Sequence, residues 1–170
     1  FGVKGGLVYK KGELEPYTGE MLISRPHNLT QVRKYAKGMR HGLWHLKNEQ
    51  GVIISEIVYE FNKLDQDAST ERLAKLLETN SQKYSKDPEI PALTAMELAQ
   101  HHFHAQAYRK SLEYTVKAMR LVDSDNSIYR AALVQKGRTH NHLGKYHESE
   151  TQLLRAVKLV KKAEGETSLN

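Results

Sequence analysis

Histidine is the residue type with the most chemistry to offer in this chain. There are nine. Six fall in two short runs: His101, His102 and His104, then His140, His142 and His147. A His-His-x-His string has the look of a metal-ligand cluster. On a helix, however, neighbouring side chains point about 100° apart, so His101 and His104 share a face and His102 does not. His140 follows His102 at the same offset at which His142 follows His104. Four histidines thus reduce to two repeated positions. They read as packing residues, or as residues that touch a ligand and titrate between pH 5 and 8, ahead of metal ligands. No metal site and no cofactor are expected.

Other reactive constellations are weaker. Lys4-Gly5-Gly6-Leu7 lacks the spacing and lysine of a phosphate-binding loop, and no G-x-S-x-G or H-E-x-x-H string is present. The absence of cysteine excludes disulfides, thiolate-bound zinc, iron–sulfur clusters and a thiol nucleophile. Glu13 and Glu15 read as a charged loop. The acids of His147-Glu148-Ser149-Glu150 suit the first turn of a helix, where the backbone dipole favours negative charge. Trp44 and Tyr59 read as sheet packing rather than a sugar platform. The chain is not expected to be an enzyme.

The elements that carry these residues fall into two kinds. Of 170 residues, 39% are hydrophobic and 27% charged, enough for one ordinary domain or two small ones. No apolar run exceeds four residues, so no transmembrane helix is expected. The net charge of +6 divides evenly. Residues 1–66 hold ten Lys/Arg against seven Asp/Glu, and residues 67–170 sixteen against thirteen, +3 in each part. A diffuse excess of this kind does not mark a nucleic-acid surface, and no nucleic acid is expected as partner.

Seven of the eleven glycines precede residue 43. Between them stand short β-branched or aromatic runs at 7–9, 20–23, 31–35 and 52–61, separated by turns at Gly12, Pro16, Gly19, Pro26-His27-Asn28, Lys37-Gly38 and Glu49-Gln50-Gly51. This pattern predicts an antiparallel meander. Tyr17-Thr18-Gly19-Glu20-Met21 and Arg40-His41-Gly42-Leu43-Trp44 align glycine on glycine. Each is followed by a strand, a turn and a strand ending in an aromatic, Tyr35 and then Tyr59, the second unit being one residue longer. Together with Gly6-Leu7-Val8-Tyr9, Pro16-Tyr17-Thr18-Gly19 and His41-Gly42-Leu43-Trp44, this resembles the MORN repeat over residues 5–62, in the variant form of bacterial MORN-variant antitoxin proteins.

From Asp67 the apolar period becomes helical. Asp67-Ala68-Ser69-Thr70-Glu71 reads as a helix start, and Leu73, Leu76 and Leu77 follow at helical spacing. A leading helix is expected at 67–84. Breaks fall at Lys86-Asp87-Pro88 and Pro91. A helix bearing Leu93, Met96, Leu98 and Phe103 comes next, then helices at 108–122, about 128–143 and 146–163. Ala99, Tyr108, Ser111, Ala118 and Leu121 recur, at the offset already seen in the histidines, as Gly137, Tyr146, Ser149, Ala156 and Leu159. A small residue, an aromatic nine further on and later small residues resemble the tetratricopeptide repeat, with one repeat at 92–125 and another at 130–163. Ala95 and Leu133 stand where that family has a tryptophan, and Asp123 where it has a closing proline. The spacing exceeds the family's usual value of about 34, so a longer link between the repeats is expected.

The resemblances imply an α+β chain: a small N-terminal antiparallel MORN-like β-meander at 1–66, then an all-α tetratricopeptide solenoid at 67–170. The tetratricopeptide resemblance implies a non-enzymatic interaction module that binds a protein or peptide in a groove. Carried over by position, the groove residues are Leu93, Met96, Gln100, Phe103 and His104 from the first repeat, with Ala131, Val134, Arg138, Asn141 and His142 from the second. Arg138 and Asn141 on one face could hold a carboxylate, as some members of that family do with a peptide's C-terminus, although the first repeat offers only Gln100 to such a clamp. The MORN-variant resemblance implies instead an antitoxin or immunity protein that masks a toxin, or an envelope-associated structural protein. A homodimer through the terminal helix is expected from Leu153, Leu154, Val157 and Val160. Gly165 to Asn170 is expected to fray. The start at Phe1 leaves the bacterial cytoplasm open or, if a leader or lipobox preceded it, the periplasm or envelope.

Overall fold

Antiparallel strands form wherever glycine turns interrupt β-branched runs, and helices take over where the glycines cease. The structure, a computed structural model, describes residues 1–25 and 28–165. It is α+β, with antiparallel sheets followed by five helices. The expected turn at Pro26-His27 and the chain end from residue 166 lie outside the described residues. Two compact units are found, Phe1–Leu76 and Leu77–Asn170.

In the first unit β1 (Gly2–Lys4) and β2 (Leu7–Tyr9) form a hairpin. Strands β3 (Gly19–Arg25), β4 (Leu29–Ala36), β5 (Met39–Arg40), β6 (Gly42–Lys47), β7 (Ile53–Glu60) and β8 (Lys63–Asp65) form a second sheet in the order β3-β4-β6-β7-β8, with β5 beside β4. The glycine-on-glycine repeat is visible in its register. Gly19 pairs with Tyr35, and Gly42 pairs with Tyr59. The extra residue of the second hairpin is absorbed at a register shift, where Leu46 faces Ser55 but Lys47 faces Ile53. Ile54 is left between them, fully buried, which fits the way a bulge re-aims one side chain.

The repeated aromatics meet across the strands. Phe1, Tyr17, Tyr35, Trp44 and Tyr59 form a chain of ring contacts at centroid distances of 4.9, 6.2, 5.5 and 4.6 Å. The Trp44 indole N–H donates to the Lys34 carbonyl at 2.9 Å, so its one polar atom is satisfied inside a buried position. Arg33 lies over Trp44 and Arg40 over Tyr59. Trp44 and Tyr59 are therefore packing residues of the sheet.

Helix α1 (Gln66–Lys83) begins directly after β8. The sequence placed its start at Asp67, but Asp65 is the residue whose carboxylate accepts from the Ala68 N–H, at 3.0 Å. Early in α1, the Ser69 hydroxyl accepts from the Val58 N–H of β7 at 2.9 Å, and Arg72 pairs with Glu56 of β7. These contacts belong to the first unit. The change from strand to helix thus falls at residue 66, while the boundary between the units falls inside α1.

The second unit takes the end of α1 with α2 (Glu89–His104), α3 (Tyr108–Leu121), α4 (Ser127–His142) and α5 (Tyr146–Ala163). A buried hydrogen bond from the Asn80 amide to the Thr94 hydroxyl, 2.9 Å, joins α1 to α2. Pro91 does not break the pattern. It sits in the first turn of α2, where a missing N–H costs nothing because the helix has no acceptor for it. Consecutive helices α2 to α5 pack on one another, and α2 also packs on α4.

The helical repeat holds in the backbone. Helices α2 and α4 have the same length, and their starts, Glu89 and Ser127, are offset as the repeated residues are. In the first turn, Ala105 N–H donates to His101 O, Gln106 to Phe103 and Ala107 to His102; in the second, Leu143 donates to Thr139, Gly144 to Asn141 and Lys145 to His140. Gln106 and Gly144 both take the left-handed conformation, at φ of 59° and 73°. Ser111, Ala118, Ser149 and Ala156 are all buried, as small residues at helix crossings should be. Among the described residues no helix is long and apolar enough to cross a membrane.

Candidate functional site

Helices α2 and α4 lie side by side and run the same way. At their N-terminal ends the Asn126 amide donates to the Glu89 carboxylate at 2.5 Å. At their C-terminal ends the Phe103 and His142 rings meet edge to face, 5.0 Å apart. Asn126 also fixes where α4 starts, its side chain accepting from the Ile128 N–H at 2.8 Å. The face between these ends carries the residues singled out by the repeat register.

The structure joins five of them or their neighbours into one cluster. Phe103 is buried, with the Arg138 guanidinium 4.9 Å from its ring centroid and the His104 ring 6.0 Å away. Tyr108, the first residue of α3, contacts Phe103 at 5.5 Å and stacks on His142 at 4.8 Å with an interplanar angle of 19°. Arg138, His142 and His104 are exposed. The result is an aromatic floor edged by a permanent cation and two imidazoles.

The remaining residues are arranged around it without touching it in this way. Gln100, Ala131, Val134 and Asn141 are exposed and Leu93 is half-buried, whereas Met96 is buried. No hydrogen bond among the described residues ties Asn141 to Arg138. The guanidinium rests on Phe103 instead, so an Arg–Asn pair for a carboxylate is not preformed. Tyr108 was legible as an aromatic after the turn, but its place against His142 depends on how α3 meets α4.

The other repeated histidine pair is internal. His102 is buried and stacks on Tyr114 of α3, 5.3 Å apart and nearly parallel. Burial pushes its pKa below the ordinary value, His101 and Lys110 add to the effect, and Glu113 opposes it. His140 is buried too, and its Nδ1 has no hydrogen-bond partner among the described residues. Both read as packing residues.

The small residues show why the second helix pair is tight. A Cβ on Gly137 would stand 2.7 Å from the Leu153 Cγ and 3.2 Å from the Ser149 carbonyl oxygen. At the equivalent positions of the first pair stand Ala99 and Thr115, both fully buried. A larger residue at one position is offset by a smaller one at the other. Between α3 and α4 a buried polar group, Ser111, Gln135 and Thr139, meets at 3.4 to 3.5 Å.

No protein-family model matches the chain, and no curated protein matches it.

Proposed function

We propose that the helical part is a pair of tetratricopeptide repeats with a leading helix, and that the chain is a non-enzymatic interaction module taking a protein or peptide segment along the α2/α4 face. The observation that carries this reading is the Phe103 floor edged by Arg138, His104 and His142. An apolar ring flanked by a guanidinium and two imidazoles suits an extended segment with one apolar side chain and a nearby carboxylate. The repeated turn geometry supports the repeat assignment, and the exposure of Arg138 leaves its guanidinium free to leave Phe103 for an acidic group. The test is panning of a random peptide display library on the full chain. Enriched peptides should share an apolar residue beside an acidic one and lose binding to the Arg138→Glu variant. Peptides that bind Arg138→Glu as well as the parent would refute the groove.

A second reading rests on the sheet. The equivalent pairs Gly19–Tyr35 and Gly42–Tyr59, with the aromatic chain between the hairpins, support two MORN-variant units. On that reading the chain is an antitoxin or immunity protein that masks a toxin. Co-expression with the product of an adjoining gene tests it. Rescue of growth from a toxic neighbour supports masking, and a non-toxic neighbour removes the reading.

A further inference from the structure

Helix α5 carries an apolar strip that the described elements cover only along one edge, where Leu153 lies against Gly137 of α4. Tyr146, Leu154 and Val157 are 69%, 55% and 51% exposed, and Leu153 and Val160 are more than a third exposed. Tyr146, Glu150, Leu153, Val157 and Val160 alternate steps of four and three along the chain, which aligns them on one seam of the helix. Ser149 and Ala156, beside that seam, are buried. The repeat register says what such a face is for. On α3 the equivalents of Tyr146, Ser149 and Leu153 are Tyr108, Ser111 and Thr115. There His142 of α4 stacks on Tyr108, and Thr139 of α4 lies 3.4 Å from Ser111. The exposed strip of α5 is therefore a helix-receiving face.

The charges of α5 choose the helix. Glu148 and Glu150 lie near its N-terminus, while Arg155, Lys158, Lys161 and Lys162 occupy its second half. We propose that α5 pairs antiparallel with α5 of a second copy, making a closed two-fold dimer. With Leu153 packed on Val157 of the second copy, Glu150 falls opposite Val160 and Lys161 of that copy, and by symmetry the reverse contact forms. Parallel pairing would set like charges together, which disfavours it. A two-fold contact uses the same strip on both copies and closes on itself. One helix pair is a small interface, so dimerisation depends on concentration.

Sedimentation equilibrium of the full chain tests this, and its outcome is separate from that of Arg138→Glu, which leaves α5 intact. The mass should rise from that of one chain toward that of two as concentration increases. Glu150→Lys and Lys161→Glu should each raise the dissociation constant about tenfold or more, by setting like charges opposite one another. The double exchange Glu150→Lys with Lys161→Glu should return it to within about threefold of the parent, because each opposed pair is then of unlike sign again. Circular dichroism checks that the helices persist in every variant. A single-chain mass at all concentrations, open-ended growth, or a double exchange no tighter than the singles would overturn the proposal.

Discussion

Gly137 shows at the residue scale how a repeat can change its contents and keep its geometry. With Leu153 against it there is no room for a methyl group, whereas the first pair accommodates Ala99 because Thr115 is smaller. Gly137→Ala should destabilise the fold by about 1–3 kcal/mol, the usual cost of overpacking, read from urea denaturation. Adding Leu153→Thr, which copies the first pair, should recover part of that loss, and a purely additive double variant would count against the pairing. His102 and His45 give the second prediction. Burial lowers the folded pKa of His102, and the same cause, aided by Lys47, lowers that of His45. The unfolded chain takes up these protons first, near its value of 6.5. Stability is thus fully present above about pH 6.5 and falls as pH drops toward the lower folded values. The urea midpoint should decline from pH 7 to 5.5, and His102→Gln should flatten the decline. The pairing of His102 with His140 and of His104 with His142 was legible because periodicity is a property of sequence. The resting of Arg138 on Phe103 was not, because a long side chain's direction is set by neighbours on another helix.

The two inter-helix turns are the clearest case at the scale of elements. Both place one residue in the left-handed region, Gln106 and Gly144. Glycine adopts it freely and a residue with a Cβ does so at a cost of about 1 kcal/mol. Gln106→Gly should therefore raise the thermal midpoint and Gly144→Ala should lower it, each by the equivalent of about 1 kcal/mol. Equal loss from both would show that the turns are not equivalent. Asp65→Ala should cost α1 about 1 kcal/mol by removing its N-cap, seen as faster hydrogen exchange at Ala68. The helices were readable to within a few residues, because Leu, Met and Ala recur at helical spacing and Gly or Pro punctuates them. The errors fell at helix starts. Pro91 looked like a stop but is tolerated in a first turn, and the true cap of α1 is a strand residue, Asp65, two positions before the one expected. Short strands β1, β5 and β8 were not singled out, whereas β2, also three residues long, was marked by its β-branched and aromatic residues.

For the whole molecule, the even +3 and +3 division of charge gave no reason to expect nucleic acid, and each compact unit is built around its own repeat. Sequence spacing alone exposed both repeats. The stacking of α2 on α4, and the cluster formed by Phe103, Tyr108, Arg138 and His142, came from tertiary packing that no local pattern encodes. The proposed function stands on that cluster. The most direct measurement is a ¹H–¹⁵N correlation spectrum of the full chain titrated with a library-selected peptide. Binding in the groove predicts shifts concentrated at Gln100, His104, Val134, Arg138, Asn141 and His142. Shifts confined to the sheet of residues 1–65, or to α5, would contradict it.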